Sequence, residues 1–153
     1  MTTTSRIWPD RVLLILLPVA GLLLVLEYLS GLWTSAYGPS NGFTSATSFP
    51  PLSLHYAGGY ALGVVVVVIA LVSLFTGQRR AVLLAVVLAV SVGWAGVSGS
   101  LFIRSSPNNP MYSVSMGLAF LIAFWAALML VTMAVKRRSQ GTPASTAPSM
   151  ASS

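Results

Sequence analysis

Cysteine is absent from this 153-residue chain, and the other side chains that most often bind metals are scarce: there is one His, and Asp10 and Glu27 are the only acids. Without cysteine the chain can form no disulfide, thiolate zinc site or iron–sulfur cluster. A catalytic metal site built from protein groups typically takes three ligands in one cavity. We therefore predict no metal site, no catalytic residue and no enzymatic activity for the monomer.

Charge is also scarce, because 7% of the residues are charged and 56% are hydrophobic. Soluble domains contain about 25% charged and 45–50% apolar residues. About 20 apolar residues, rising about 1.5 Å each in a helix, cross a hydrocarbon core about 30 Å thick. Four runs meet this length, at residues 12–33, 54–75, 81–103 and 112–135. The sequence predicts an all-α integral membrane protein, a four-transmembrane-helix up-and-down bundle.

The positive residues predict the orientation of these spans. Seven of the eight Lys and Arg residues fall at one end of the predicted bundle, and Arg104 is the exception. They are Arg6, Arg11, Arg79, Arg80, Lys136, Arg137 and Arg138. Because cytoplasmic loops are enriched in Lys and Arg, we predict a multi-pass protein of the plasma membrane with both termini cytoplasmic. The net charge of +6 then reflects Lys and Arg residues at the cytoplasmic ends of the helices. No nucleic-acid partner is predicted.

The chain divides into three parts on this interpretation. Residues 1–11 form a short basic cytoplasmic N-terminus, and residues 12–135 form the transmembrane domain. Residues 136–153 form a cytoplasmic tail that is basic at first and then rich in Ser, Pro and Ala, a composition typical of disorder.

Two segments allow an alternative interpretation. The uncharged outer segment 33–53 is either a passive polar cap or a functional loop, because loops of this length are often functional or mobile. The first apolar run is either a signal anchor or a secretory signal peptide cleaved near Thr34. A signal peptide has an apolar region of about 7–15 residues, so the longer run here favours the anchor.

Small residues on one helical face let membrane helices approach closely, and such faces usually serve helix contact. Three spans carry them: Gly59 and Gly63 in the second, Gly93, Gly96 and Ser100 in the third, and Ser115, Ala119, Ala123 and Ala126 in the fourth. We predict that these faces pack together. The alternative is that the glycines make room for a flat cofactor or a lipid, since ligand approach requires the same absence of a Cβ.

Three ionisable residues are predicted to lie in the outer half of the membrane: Glu27, His55 and Arg104. A charged carboxylate at that depth costs a few kcal/mol, so Glu27 needs a partner. We predict that Arg104 bends inward to pair with Glu27 and ties the first helix to the third. The alternatives are a proton, ion or substrate site, or a contact with another subunit. His55 is predicted to be a satisfied polar residue, and it is a weak candidate for binding a cofactor.

The start of the second span, where His55 precedes Gly59 and Gly63, resembles the haem-bearing helices of four-helix membrane cytochromes of the b type. The resemblance implies haem b. Those families place His ligands on two or more helices, whereas this chain has one His. We therefore predict that His55 does not ligate haem in the isolated chain. No cofactor is assigned, and quinone and haem b remain the alternatives.

Two functions follow from these features. The first is a small non-catalytic accessory, assembly or interaction subunit of a membrane complex, or a homo-oligomer, which contacts its partner through the small-residue faces. The second is a redox or transport component with a quinone, proton or small-solute site near the outer interface, formed by Glu27, His55 and Arg104.

Overall fold

The structure, a computed structural model, describes residues 7–37, 50–105 and 109–140. Within these ranges the regular secondary structure is α-helical, with a turn at residues 75–78 and no β-strand. The four helices are α1 (Ile7–Tyr37), α2 (Pro50–Leu74), α3 (Arg79–Arg104) and α4 (Pro110–Gln140). Each is long and apolar enough to cross a membrane. The predicted helical class is confirmed, as are four helices of membrane-spanning length and hydropathy.

The helices continue beyond most ends of the apolar runs. α1 begins at Ile7 rather than at residue 12, and α4 continues to Gln140. Residues 136–140, which we expected in the disordered tail, are therefore helical. Backbone hydrogen bonds do not require apolar side chains, and basic residues near a helix C-terminus interact favourably with its dipole. The predictions for residues 1–6, 38–49 and 141–153 lie outside the described residues.

Local sequence explains where the helices begin and turn. Pro50 starts α2 and Pro110 starts α4, and proline suits the first helical turn because the amide hydrogen it lacks would have no partner there. Asn109 caps α4, since its Oδ1 accepts a hydrogen bond from the Met111 amide at 3.0 Å. Gly77 adopts a φ of 68° in the turn from α2 to α3, a conformation that glycine reaches without strain.

Successive helices pack side by side, and α4 packs against α1. The start of α1 lies beside the end of α2, where the ring centroids of Trp8 and Phe75 are 5.7 Å apart. It also lies beside the end of α4, where Arg137 Nη1 donates to Asp10 Oδ1 at 2.6 Å. Helices α1 and α3 are diagonal to each other and, in the described residues, do not pack together.

The core combines large side chains from all four helices with alanines that are concentrated on α3 and α4. Its fully buried members include Leu13, Leu17, Leu24, Leu62, Ile69, Ala81, Ala85, Ala123 and Ala126. The contact between α3 and α4 is the most extensive of the bundle, as expected where alanines let two backbones approach. Of the predicted contact face of α4, Ala119, Ala123 and Ala126 are buried, whereas Ser115 is half-buried and hydrogen-bonds to Trp94 and Ser98 of α3.

Candidate functional site

The buried carboxylate of α1 finds its partner on α2. Glu27 Oε2 lies 2.9 Å from Nδ1 of His55, and the two side chains are 5% and 18% exposed, respectively. A carboxylate in an apolar environment is costly unless it is paired or hydrogen-bonded. This contact, here named the Glu27/His55 pair, satisfies Glu27 and ties α1 to α2.

Ser30 completes the surroundings of the imidazole. Its Oγ lies 3.0 Å from His55 Nδ1 and also donates a hydrogen bond to the Glu27 carbonyl at 3.0 Å. One turn later, Thr34 Oγ1 donates to the Ser30 carbonyl at 2.8 Å. Glu27, Ser30 and Thr34 therefore form a short polar row along α1. The hydroxyl groups of Ser30 and Thr34 donate to carbonyl groups of their own helix, and the side chains of Glu27 and Ser30 contact the ring of His55.

Glycines make the room that this pair occupies. A Cβ at Gly58 would overlap with Glu27 Oε1, and a Cβ at Gly59 would lie 3.5 Å from Oε2. Across the contact, a Cβ at Gly31 would lie 3.3 Å from His55 Cε1. Gly59 therefore faces the Glu27 carboxylate of α1, whereas we predicted that its face packs with the small-residue faces of the other spans. The sequence analysis missed Gly58, whose position three residues after His55 places both on one face of α2.

A cleft of about 360 Å³ lies next to the pair, between α2 and α3, with Met116 and Phe120 of α4 among its lining residues. We name it the α2/α3 cleft. Gly63, Gly93 and Gly96 line it, and a Cβ added to any of these three would meet no atom within 4 Å. An added Cβ at each of these three glycines would thus point into open space among the described residues. The glycines line the cleft together with larger α3 side chains such as Val92 and Ile103.

The cleft has one polar end and a long apolar remainder. Its lining on α2 runs from His55 to Val67, about 18 Å at about 1.5 Å per residue. Its polar lining residues are Glu27, His55 and Ser100, together with Tyr56 and Tyr60. The volume falls in the range of about 300–1,000 Å³ that is usual for ligand sites. Such a shape accommodates an elongated apolar molecule with one hydrogen-bonding end.

Arg104 stands apart from the other two residues of the predicted polar cluster. It is exposed at the end of α3, and α3 does not pack against α1 in the described structure. Glu27 therefore pairs with His55 rather than with the expected Arg104. We expected Arg104 as the partner because Glu27 and Arg104 are predicted to lie at a similar depth in the membrane. In the bundle, however, α2 lies beside α1, and α3 lies diagonally across from it.

The described residues contain no group of three or more His, Cys, Asp or Glu side chains that could hold a metal ion. Comparison of the chain with protein-family models, with curated proteins and with solved structures finds no match. The geometry of the α2/α3 cleft and the Glu27/His55 pair therefore carries the functional interpretation.

Proposed function

We propose that this chain is a membrane protein that binds an apolar molecule with a hydrogen-bonding head group, of the quinone type, in the α2/α3 cleft. One observation carries the proposal: a glycine-lined cleft in an otherwise apolar bundle ends on the Glu27/His55 pair. A quinone head group needs only one or two hydrogen bonds within an apolar slot. In this proposal the chain binds its ligand and catalyses no reaction.

Filling the cleft tests this proposal. Gly63→Leu places a side chain in the cleft, whereas Gly21→Leu adds the same side chain to α1, outside the lining; in both places an added Cβ meets no atom within 4 Å. Binding of a short-chain benzoquinone to the purified full chain is measured by calorimetric titration. We expect Gly63→Leu to abolish binding and Gly21→Leu to retain it. Equal binding by the two variants would contradict the proposal.

An optical spectrum of the same purified protein distinguishes a quinone site from a haem site. The proposal expects the protein, expressed with ample haem, to show no reduced-minus-oxidised b-type band that depends on His55. A stoichiometric band that disappears in His55→Ala would instead make the cleft a haem site, with the second axial ligand supplied by another residue such as Met116, which lines the cleft.

We further propose that both termini face the cytoplasm of a cell whose plasma membrane holds the protein, which places the Glu27/His55 pair in the outer half. The asymmetry of Lys and Arg supports this orientation. The contact between Asp10 and Arg137 supports a common side for the start of α1 and the end of α4. Ser53→Cys should label in intact cells and Ser139→Cys only after permeabilisation, since both side chains are exposed. The reverse pattern would contradict the orientation.

A second candidate function is an accessory, assembly or interaction subunit, or a homo-oligomer. The glycines that line the α2/α3 cleft favour it, because a partner's transmembrane helix could pack against Gly63, Gly93 and Gly96 as readily as a ligand could bind there. Purification in mild detergent distinguishes the two. A stoichiometric protein that is lost with Gly63→Leu but kept with Gly21→Leu would favour the accessory role over the binding of a small molecule.

A further inference from the structure

Positive charge gathers at the end of the bundle where α3 begins and α4 ends, here named the basic end. Among the described residues it holds six cations: Arg11, Arg79, Arg80, Lys136, Arg137 and Arg138. Asp10 is the one acid there, and it already pairs with Arg137. The chain's other acid, Glu27, lies about 25 Å further along α1 at about 1.5 Å per residue. The chain thus has no acidic side chain left to neutralise Arg79, Arg80 and Lys136.

The packing of α3 against α4 brings cations of both helices to similar levels. Ser98 Oγ of α3 lies 3.3 Å from Ser115 Oγ of α4, and the two helices run antiparallel. Counting an equal number of residues back from Ser98 and onward from Ser115 places Arg79 level with Ala134. Lys136 lies about 3 Å beyond that level, since each residue of a helix adds about 1.5 Å. Both Arg79 and Lys136 are exposed, so their charges are open to a ligand.

An exposed apolar stripe runs along α3 from Arg79 toward the middle of the bundle. Leu83, Val86 and Val90 follow at spacings of three or four residues, which keep them on the helical face of Arg79. They are 64%, 46% and 64% exposed, respectively. Helix α3 is about 39 Å long at about 1.5 Å per residue, longer than a hydrocarbon core of about 30 Å. In a membrane its first residues therefore reach the head groups, with the stripe among the acyl chains.

We propose that the start of α3 and the end of α4 bind the phosphate group of an anionic phospholipid, with Arg79, Arg80 and Lys136 as its cationic contacts. Arginine presents a fork of N–H donors that matches phosphate oxygens, and lysine adds a point charge. The lipid supplies the negative charge that the chain lacks, and its acyl chains cover the stripe below. An acidic protein segment would supply the charge alone.

This lipid site is separate from the α2/α3 cleft. The lining of the cleft on α3 ends at Ala89, about 15 Å from Arg79 at about 1.5 Å per residue. None of the cations of the basic end lines the cleft. The inference therefore does not depend on the proposed quinone binding.

Titration of the full chain with two lipids in detergent tests the site. Phosphatidylglycerol and phosphatidylcholine are added separately, and native mass spectrometry gives the dissociation constant of the first lipid bound. We expect phosphatidylglycerol to bind on the order of tenfold more tightly, because nearby Lys and Arg side chains attract anionic head groups. Equal affinities for the two lipids would overturn the proposal.

Two matched variants of α3 locate the site. Arg79→Gln and Arg104→Gln each remove one exposed arginine, at opposite ends of the same helix. Arg79→Gln should weaken the binding of phosphatidylglycerol by on the order of fivefold and leave phosphatidylcholine unchanged, whereas Arg104→Gln should alter neither. An equal loss in both variants would mean that net charge attracts the lipid without a site, and no loss in Arg79→Gln would also contradict the assignment.

Inorganic phosphate distinguishes a lipid from a soluble phosphate compound. Phosphatidylglycerol is titrated again with inorganic phosphate in the buffer, at an ionic strength matched with chloride. We expect the same affinity in both buffers, because a free phosphate ion gains nothing from the apolar stripe. Displacement of the lipid by phosphate would instead indicate a site for a soluble phosphate compound, and the lipid proposal would be wrong.

Discussion

Helix α2 has glycines facing two neighbours, and the two regions differ in what fills the space that the missing side chains leave. Toward α1, the room at Gly58 is occupied by the carboxylate of Glu27, with which a Cβ would overlap. Toward α3, a Cβ at Gly63 would meet no atom within 4 Å. A glycine in a membrane helix can therefore serve a close polar contact on one side and a cavity on the other, and the spacing of the glycines alone does not distinguish these roles.

The difference follows from what the facing helix carries. α1 presents a long polar side chain whose burial requires a partner, so Glu27 reaches across and takes up the room at Gly58. α3 contributes Gly93 and Gly96 to the lining of the same cleft, and neither has a side chain that could fill it. Room between two helices stays open where neither side supplies a group to fill it.

The largest effect is expected from breaking the contact on the α1 side. His55→Ala leaves the buried carboxylate of Glu27 without its imidazole, which should lower the free energy of unfolding by about 3 kcal/mol. Denaturant unfolding of the detergent-solubilised protein measures this loss. The double variant Glu27→Leu/His55→Phe should recover much of it, because no charge is then left unpaired. A loss as large in the double variant, which keeps an aromatic ring at position 55 and leaves no charge unpaired, would mean that an unpaired Glu27 does not explain the loss in His55→Ala.

Gly58→Ala should give the next largest decrease in the free energy of unfolding. The added methyl group displaces Glu27 Oε1, so the carboxylate must move away from His55, at a cost of about 1–3 kcal/mol. In a Glu27→Ala background the same substitution should cost little, since the overlapping atoms are gone. Thermal unfolding of the four proteins in this cycle gives the coupling. An additive result would show that the two residues do not interact.

Gly63→Ala should change stability in the opposite direction. No atom stands in the way of the added Cβ, and alanine in a helix interior is favoured over glycine by about 0.5–1 kcal/mol. The melting temperature in detergent should therefore rise slightly, in contrast to the fall expected for Gly58→Ala. A clear fall would mean that another helix occupies the cleft in solution, and the contrast between the two regions would no longer hold.

Arg104→Gln should have the smallest effect. The side chain is exposed and α3 does not pack against α1, so stability should change by no more than about 0.5 kcal/mol. Its effect should also add to that of Glu27→Gln, as measured by unfolding of the single and double variants. A coupling energy above about 1 kcal/mol would show that Glu27 and Arg104 interact, as the sequence analysis predicted.

The sequence predicted some parts of the site and not others. It identified Glu27 and His55 as residues in need of partners, because an ionisable group in an apolar run is conspicuous whatever the fold. It paired Glu27 with Arg104, because depth in the membrane was the only distance that the sequence offered. It assigned Gly63, Gly93 and Gly96 to helix contact, although the alternative of room for a ligand describes the cavity that they line.

The four apolar helices and the buried alanine face of α4 were determined by the sequence itself, since both depend on local properties: the length of a run, its hydropathy and the helical period. The partner of Glu27 and the presence of the α2/α3 cleft were decided only by the tertiary structure. Both depend on which helices are neighbours and on how closely they approach. Those distances arise from all four helices packing together, and no single span contains them.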